Sequence, residues 1–247
     1  MKRFGWQMIL GISLVVLSAV LYFVHYLVFH DAHHIFIYMV GDVAFVPIEV
    51  LLVTLIIHRL LMEREKRIKM EKLNMVIGAF FSEVGIQLLE VFSRLDPNAS
   101  RIGKQLIVTN DWDDKRFHEL MKRYQRYEYE IEIDTGGLED LKRLTIGKRE
   151  FLLRLMENPN LLEHDRFTRL LRAVFHLTEE LENRKEIKDL PDSDIRHLTG
   201  DARRVYVNLL SEWLSYMRHL LKNYPYLFSL AVRTNPFDPE ASPVVAG

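Results

Sequence analysis

The sequence predicts an all-α protein, an N-terminal two-helix transmembrane hairpin followed by a cytosolic helical bundle. Three observations predict it. Two apolar segments, residues 4–29 and 35–61, are each long enough to cross a hydrocarbon core of roughly 30 Å, which takes about 20 helical residues. Beyond residue 61, apolar residues recur at steps of three and four, the helical period. Strand signals are scarce along the whole chain. Bulk composition hides this division. Hydrophobic residues at 49 % and charged residues at 27 % are ordinary for a soluble chain, but the apolar residues crowd into the first 61 positions and the charges into the remainder.

The first segment has no charge between Phe4 and Val24. A cleaved signal peptide would have an apolar region of about 7–15 residues and a small-residue cleavage site. This segment is longer, with no clear site before the next one, so it reads as a retained helix. The link, roughly His30 to His34, is too short for anything but antiparallel neighbours. Lys2 and Arg3 precede the first helix, and Arg59, Arg64, Lys66, Arg67, Lys69 and Lys72 follow the second. The link has no Lys or Arg. The positive-inside rule then puts both termini in the cytoplasm and the His-rich turn outside. The expected location is a prokaryotic cytoplasmic (inner) membrane. Trp6 toward one interface and Tyr22, Tyr26 and Tyr38 toward the other fit aromatic belts.

The second span carries Asp42, Pro47 and Glu49. A charged carboxylate at mid-span costs about 2.5–3.5 kcal/mol on insertion scales. A hairpin turning near residue 32 pairs Asp42 with Tyr22 and His25, and Glu49 with Ser13 and Ser18. One reading is that these groups hydrogen-bond and lock the hairpin or an oligomer. The other is a proton or cation path, which with two helices per chain needs several subunits. Pro47 removes a backbone donor and frees the carbonyl of Val43, a site for a kink. His30, His33 and His34 have i, i+3, i+4 spacing, which on one helical turn offers three ligands to a divalent transition metal. Solvated turn histidines are the competing reading.

Residues 62–95 read as a juxtamembrane helix continuous with the second span. Its basic start suits anionic headgroups. Its stripe Leu73, Ile77, Phe80, Val84, Leu88, Val91 and Leu95 is either a coiled-coil seam between subunits or one face of the cytosolic core. Gly78, Phe80-Phe81 and Gly85 favour close, irregular packing, hence the core. Residues 96–232 form the cytosolic helical domain. The expected order is an extended piece near 106–108, a helix over 113–131, a break at Gly136-Gly137, and helices over 138–145, 147–157 and 163–184. A long helix from Pro191 to about Asn223 follows, with Gly200 as a break. The Pro-containing tail, residues 233–247, is expected to be extended and mobile.

Several function classes are excluded or unsupported. With no cysteine there is no disulfide, thiolate metal site or cysteine nucleophile. A net charge of −1 gives no nucleic-acid field, and the Lys122, Arg123, Arg126 run between tyrosines reads as a solvated face. No phosphate loop, dinucleotide glycine pattern, nucleophile elbow or zincin motif occurs, and no cofactor is implied. The link leaves no room for a pore helix or a carbonyl filter. His176 with Glu179 and Glu180 lies on one helix face, but no Glu-x-x-His pair exists for a di-iron carboxylate bundle. The leading expectation is a membrane-anchored interaction, scaffold or sensory module in the lipid bilayer, a homo-oligomer whose cytosolic domain meets a protein partner. The alternatives are an oligomeric channel or transporter using Asp42 and Glu49, or an enzyme with residues such as Glu83, His176, Glu179 and Asp194.

Overall fold

The computed structural model describes residues 2–125 and 131–245. Among the described residues every regular element is helical. The chain divides into two units, Met1–Lys66 and Arg67–Gly247. In the first unit, α1 spans Lys2–Phe29. Helix α2, Ala32–Phe80, passes into the second unit and is continuous through Pro47. The link is shorter than the sequence suggests, two residues rather than five. His30 adopts φ 51°, the left-handed conformation that ends many helices, and its N–H bonds back to the Tyr26 carbonyl at 2.9 Å. Asp31 Oδ1 then accepts the His34 N–H at 3.1 Å, an N-cap for α2. Both helices are long and apolar enough to cross a membrane, and their apolar windows bury nothing.

The second unit begins with the last turns of α2. Leu73, Ile77, Phe80, Val84 and Leu88 are all buried, so the predicted stripe is taken up by the domain core rather than by an intersubunit seam. A π-helical turn, Phe81–Gly85, interrupts it before α3, Ile86–Leu95. Gly85 permits this turn. A Cβ there would stand 2.5 Å from Phe81 Cδ1, while the Phe81 ring stacks on Tyr216 at 5.1 Å.

The expected extended piece is preceded by a helix, α4, Ala99–Leu106, held by buried Ile102 and Leu106; the backbone turns extended only at Ile107. Helix α5 covers Asp114–Gln125; Tyr127 and Tyr129 lie outside the described residues, and Ile131 is buried but not helical. Gly136-Gly137 does not break the chain. It lies in the first turn of α6, Thr135–Gly147, where Asp134 Oδ1 accepts the Gly137 N–H at 2.8 Å. Helix α7, Arg149–Met156, is followed by a 3-10 turn opened by Pro159.

The centre of the domain is α8, Asp165–Glu182, packed along α9, Asp192–Asn223. Helix α8 buries the whole predicted stripe Phe167, Leu170, Leu171, Val174, Thr178 and Leu181. Helix α9 runs unbroken through Gly200 and buries Tyr206, Leu209, Trp213, Met217 and Leu220. It also touches α3, α5 and α10, Pro225–Arg233. The start of the tail is packed rather than loose. Asn235 is buried and its Nδ2 donates to the Leu106 carbonyl at 2.8 Å, while the Phe237 ring meets Trp213 at 5.2 Å.

Candidate functional site

Helices α8 and α9 run antiparallel, because partners on α9 fall in number as those on α8 rise. Arg166 meets Glu212, His176 meets Asp201, Glu180 meets His197, and Arg184 just past α8 meets Asp194. Two polar clusters interrupt this apolar seam.

The first lies at the end of α9 nearer its start. His176 and Glu180 are four residues apart on α8, and His197 and Asp201 four apart on α9, so each pair shares one helix face. His176 Nε2 stands 3.8 Å from Glu180 Oε1 and 3.4 Å from Asp201 Oδ2. His197 Nε2 stands 3.7 Å from Glu180 Oε2 and 3.5 Å from the same Asp201 Oδ2. Asp201 is 4 % exposed, whereas the two imidazole side chains are half-exposed. Despite the short approaches, Asp201 Oδ2 makes no hydrogen bond. Two arginines hold the outer side. Arg204 Nη1 donates to Asp201 Oδ1 at 2.9 Å. Arg184 forks onto both oxygens of Asp194 at 2.6 and 2.7 Å and donates to Glu180 Oε2 at 2.6 Å. The Arg184 hydrogen bonds hold Asp194 and Glu180 below the usual carboxylate range, and Arg184 is pushed up in turn.

The second cluster lines a cavity of about 230 Å³ among His164, Arg166, Glu212, Tyr216, Arg218 and His219. Glu212 is 2 % exposed, and burial pushes its carboxyl up to about 7 against the pull of Arg166 and Arg169. His164 caps α8 through its ring, Nδ1 accepting the Phe167 N–H at 3.1 Å. That bond assigns the neutral ring proton to Nε2, which faces Glu212 Oε1 at 3.7 Å. Burial, with Arg166 nearby, lowers the His164 pKa; a protonated ring would also lose the cap. His219 Nδ1 lies 3.1 Å from Asn223 Nδ2, and its Nε2 and Glu212 Oε2 are buried without hydrogen bonds. The cavity therefore offers a buried carboxyl raised to about 7 and an imidazole beside Arg166 and Arg218.

The residues singled out in the hairpin are arranged less tightly. Tyr22 Oη lies 3.5 Å from Asp42 Oδ2 across the turn, at the outer limit of a hydrogen bond. Glu49 makes no hydrogen bond or ion pair among the described residues, and neither Ser13 nor Ser18 reaches it; Ser13 donates to the Leu10 carbonyl at 2.8 Å instead. The His25 ring stacks on His34 at 6.1 Å. His30, His33 and His34 do not share one helical turn, because His30 lies in the link. The group among the described residues whose ligand atoms all lie within 4.8 Å is His176, Glu180 and Asp201. Of the scattered enzyme candidates, Glu83 pairs with Lys148 Nζ at 2.9 Å and Asp194 with Arg184, well apart in the chain and in different contacts.

Sequence reasoning missed Glu212, Asp201 and His197. The signals were present. Glu212 sits three residues after Leu209 and four before Tyr216, inside the inward stripe. A His-x-x-x-acid spacing occurs twice, at 176/180 and 197/201.

Two family models match the chain. Residues 69–233 match the model described as uncharacterized protein MJ1433, C-terminal helical domain, and residues 2–61 match MJ1433, N-terminal helical domain. Uncharacterized protein MJ1433 of Methanocaldococcus jannaschii is 47 % identical over 233 residues, 94 % of each chain. No solved structure matches.

Proposed function

We propose that this chain, which belongs to the MJ1433 family, is a membrane-anchored protein whose N-terminal hairpin holds the helical domain at the cytoplasmic face of a bilayer. The observation that carries this reading is the exposure of the hairpin. Ile9, Val15, Phe23 and Val43 are each more than 60 % exposed, and the apolar window of each helix has no buried residue. Such a surface is stable only in an apolar solvent or against an apolar partner. The second unit differs in kind, because it closes its own core of leucines and aromatic residues. The basic residues flanking the spans orient the termini to the cytoplasm. Self-association follows from Glu49, whose carboxyl lacks a partner within the apolar span. A second copy of α2 supplies the polar contact that a single hairpin does not. The role is that of an oligomeric scaffold or sensory module presenting its cytosolic domain to a partner.

Fractionation tests the anchoring. The full chain is expected to stay with the membrane pellet after alkaline carbonate extraction, and a chain lacking residues 2–61 to move to the supernatant. Release of the full chain by carbonate would refute an integral hairpin.

A further inference from the structure

We propose that the α8–α9 cluster binds one divalent transition-metal ion of the zinc class, held by His176 Nε2, Glu180 Oε1 and Asp201 Oδ2, with water in the fourth position. This goes beyond the anchoring role and does not depend on it.

The donor set comes first. One imidazole and two carboxylates suit Zn²⁺, Co²⁺ or Mn²⁺, and no thiolate competes in a chain without cysteine. Spacing comes second. Helix α8 contributes a histidine and an acid one turn apart, His176 and Glu180, and antiparallel packing sets Asp201 of α9 opposite them. Metal–ligand bonds of about 2.1 Å in a tetrahedron put ligand atoms about 3.4 Å apart. His176 Nε2 stands 3.8 Å from Glu180 Oε1 and 3.4 Å from Asp201 Oδ2, and the three ligand atoms all lie within 4.8 Å of one another. Contraction around an ion closes these gaps.

The buried carboxylate is the independent observation. Asp201 Oδ2 lies within 3.5 Å of both imidazole Nε2 atoms and yet makes no hydrogen bond. A buried carboxylate oxygen left unpaired is costly, and a metal ion facing it removes the cost. The outer contacts have the form of supporting partners. Arg204 occupies Asp201 Oδ1 and Arg184 occupies Glu180 Oε2, which fixes both carboxylates and leaves Oδ2 and Glu180 Oε1 toward His176. The half-exposed imidazoles give the ion a route from solvent.

The test uses the full-length chain in detergent, without a histidine tag and stripped by chelator. Zn²⁺ is titrated by calorimetry, and Co²⁺ by visible absorption. The expected result is saturation at about one ion per chain, with the ligand-field bands of four-coordinate Co²⁺. His176→Gln and Asp201→Asn are each expected to weaken binding by more than the roughly 10–100-fold that loss of an outer partner costs. A variant carrying His30→Gln, His33→Gln and His34→Gln is expected to bind unchanged. Absence of saturable binding overturns the proposal, as does wild-type affinity in His176→Gln or loss of binding in the turn-histidine variant. Should Asp201→Asn fail to fold, the half-exposed His176→Gln decides alone.

Discussion

Replacing Glu212 with glutamine is expected to stabilise the protein at alkaline pH and to change little at acid pH. The carboxyl has an ordinary value of 4.5 in the unfolded chain and about 7 in the fold. Below 4.5 both states carry the proton, so the group is neutral toward stability. Between those values the unfolded carboxyl ionises first, and stability falls as pH rises. Above the folded pKa the loss levels off. At about 1.4 kcal/mol for each pH unit the total is about 3 kcal/mol. For a domain of this size that is about 6–12 °C in Tm. Trp213, adjacent in sequence and buried, reports unfolding by fluorescence of the full chain in detergent. The Tm difference between Glu212→Gln and wild type is expected to widen by that amount between about pH 5 and about pH 9. His164 acts in the opposite sense. Its lowered pKa costs stability only as pH falls below the unfolded histidine value of 6.5, so the change in the Tm difference above that pH belongs to Glu212. A Tm difference that does not change with pH would show instead that Arg166 keeps the buried carboxylate charged across this range.

Three further outcomes follow from ion pairing and packing. Arg184→Ala strips the cation from Asp194 and Glu180 together and is expected to cost about 1–3 kcal/mol by denaturant unfolding. That loss shrinks in acid as the two carboxylates protonate, since both lie below the usual range with Arg184 present. Gly85→Ala drives a Cβ into Phe80 and Phe81 and is expected to cost about 1–3 kcal/mol. Gly200→Ala, in the middle of α9 with open space around it, is expected to stabilise by about 0.5–1 kcal/mol. Equal effects at the two glycines would mean that the π-helical turn is not set by the Phe81 ring.

The helical fold was legible wherever one face of a long segment repeats its apolar residues, as in α8 and α9. It failed where tertiary contacts outvote local signals. Helix α4 is short and holds Gly103, and Leu106-Ile107-Val108 reads as extended. It persists because Ile102 and Leu106 are buried and Gly103 lets the Phe237 carbonyl approach. The tail carried the prolines of a loose end, but Asn235 and Phe237 find partners far away in sequence. Gly136 and Gly137 read as a break because the cap that Asp134 supplies is a three-residue pattern easily passed over. The candidate sites were the least legible. Each His-x-x-x-acid pair is unremarkable alone, and only the antiparallel register of α8 and α9 joins them. Burial of Glu212 follows from its angular position on α9, not from its chemistry.

Thiol accessibility reads whether the proposed hairpin crosses the membrane twice, because the chain has no cysteine of its own. Single substitutions Ala32→Cys, at the start of α2, and Ala241→Cys, in the exposed tail, place a probe at each end of the topology. A membrane-impermeant maleimide is expected to label Ala32→Cys in intact cells and Ala241→Cys only after permeabilisation. Labelling of both positions from the same side would mean that α2 does not span the membrane.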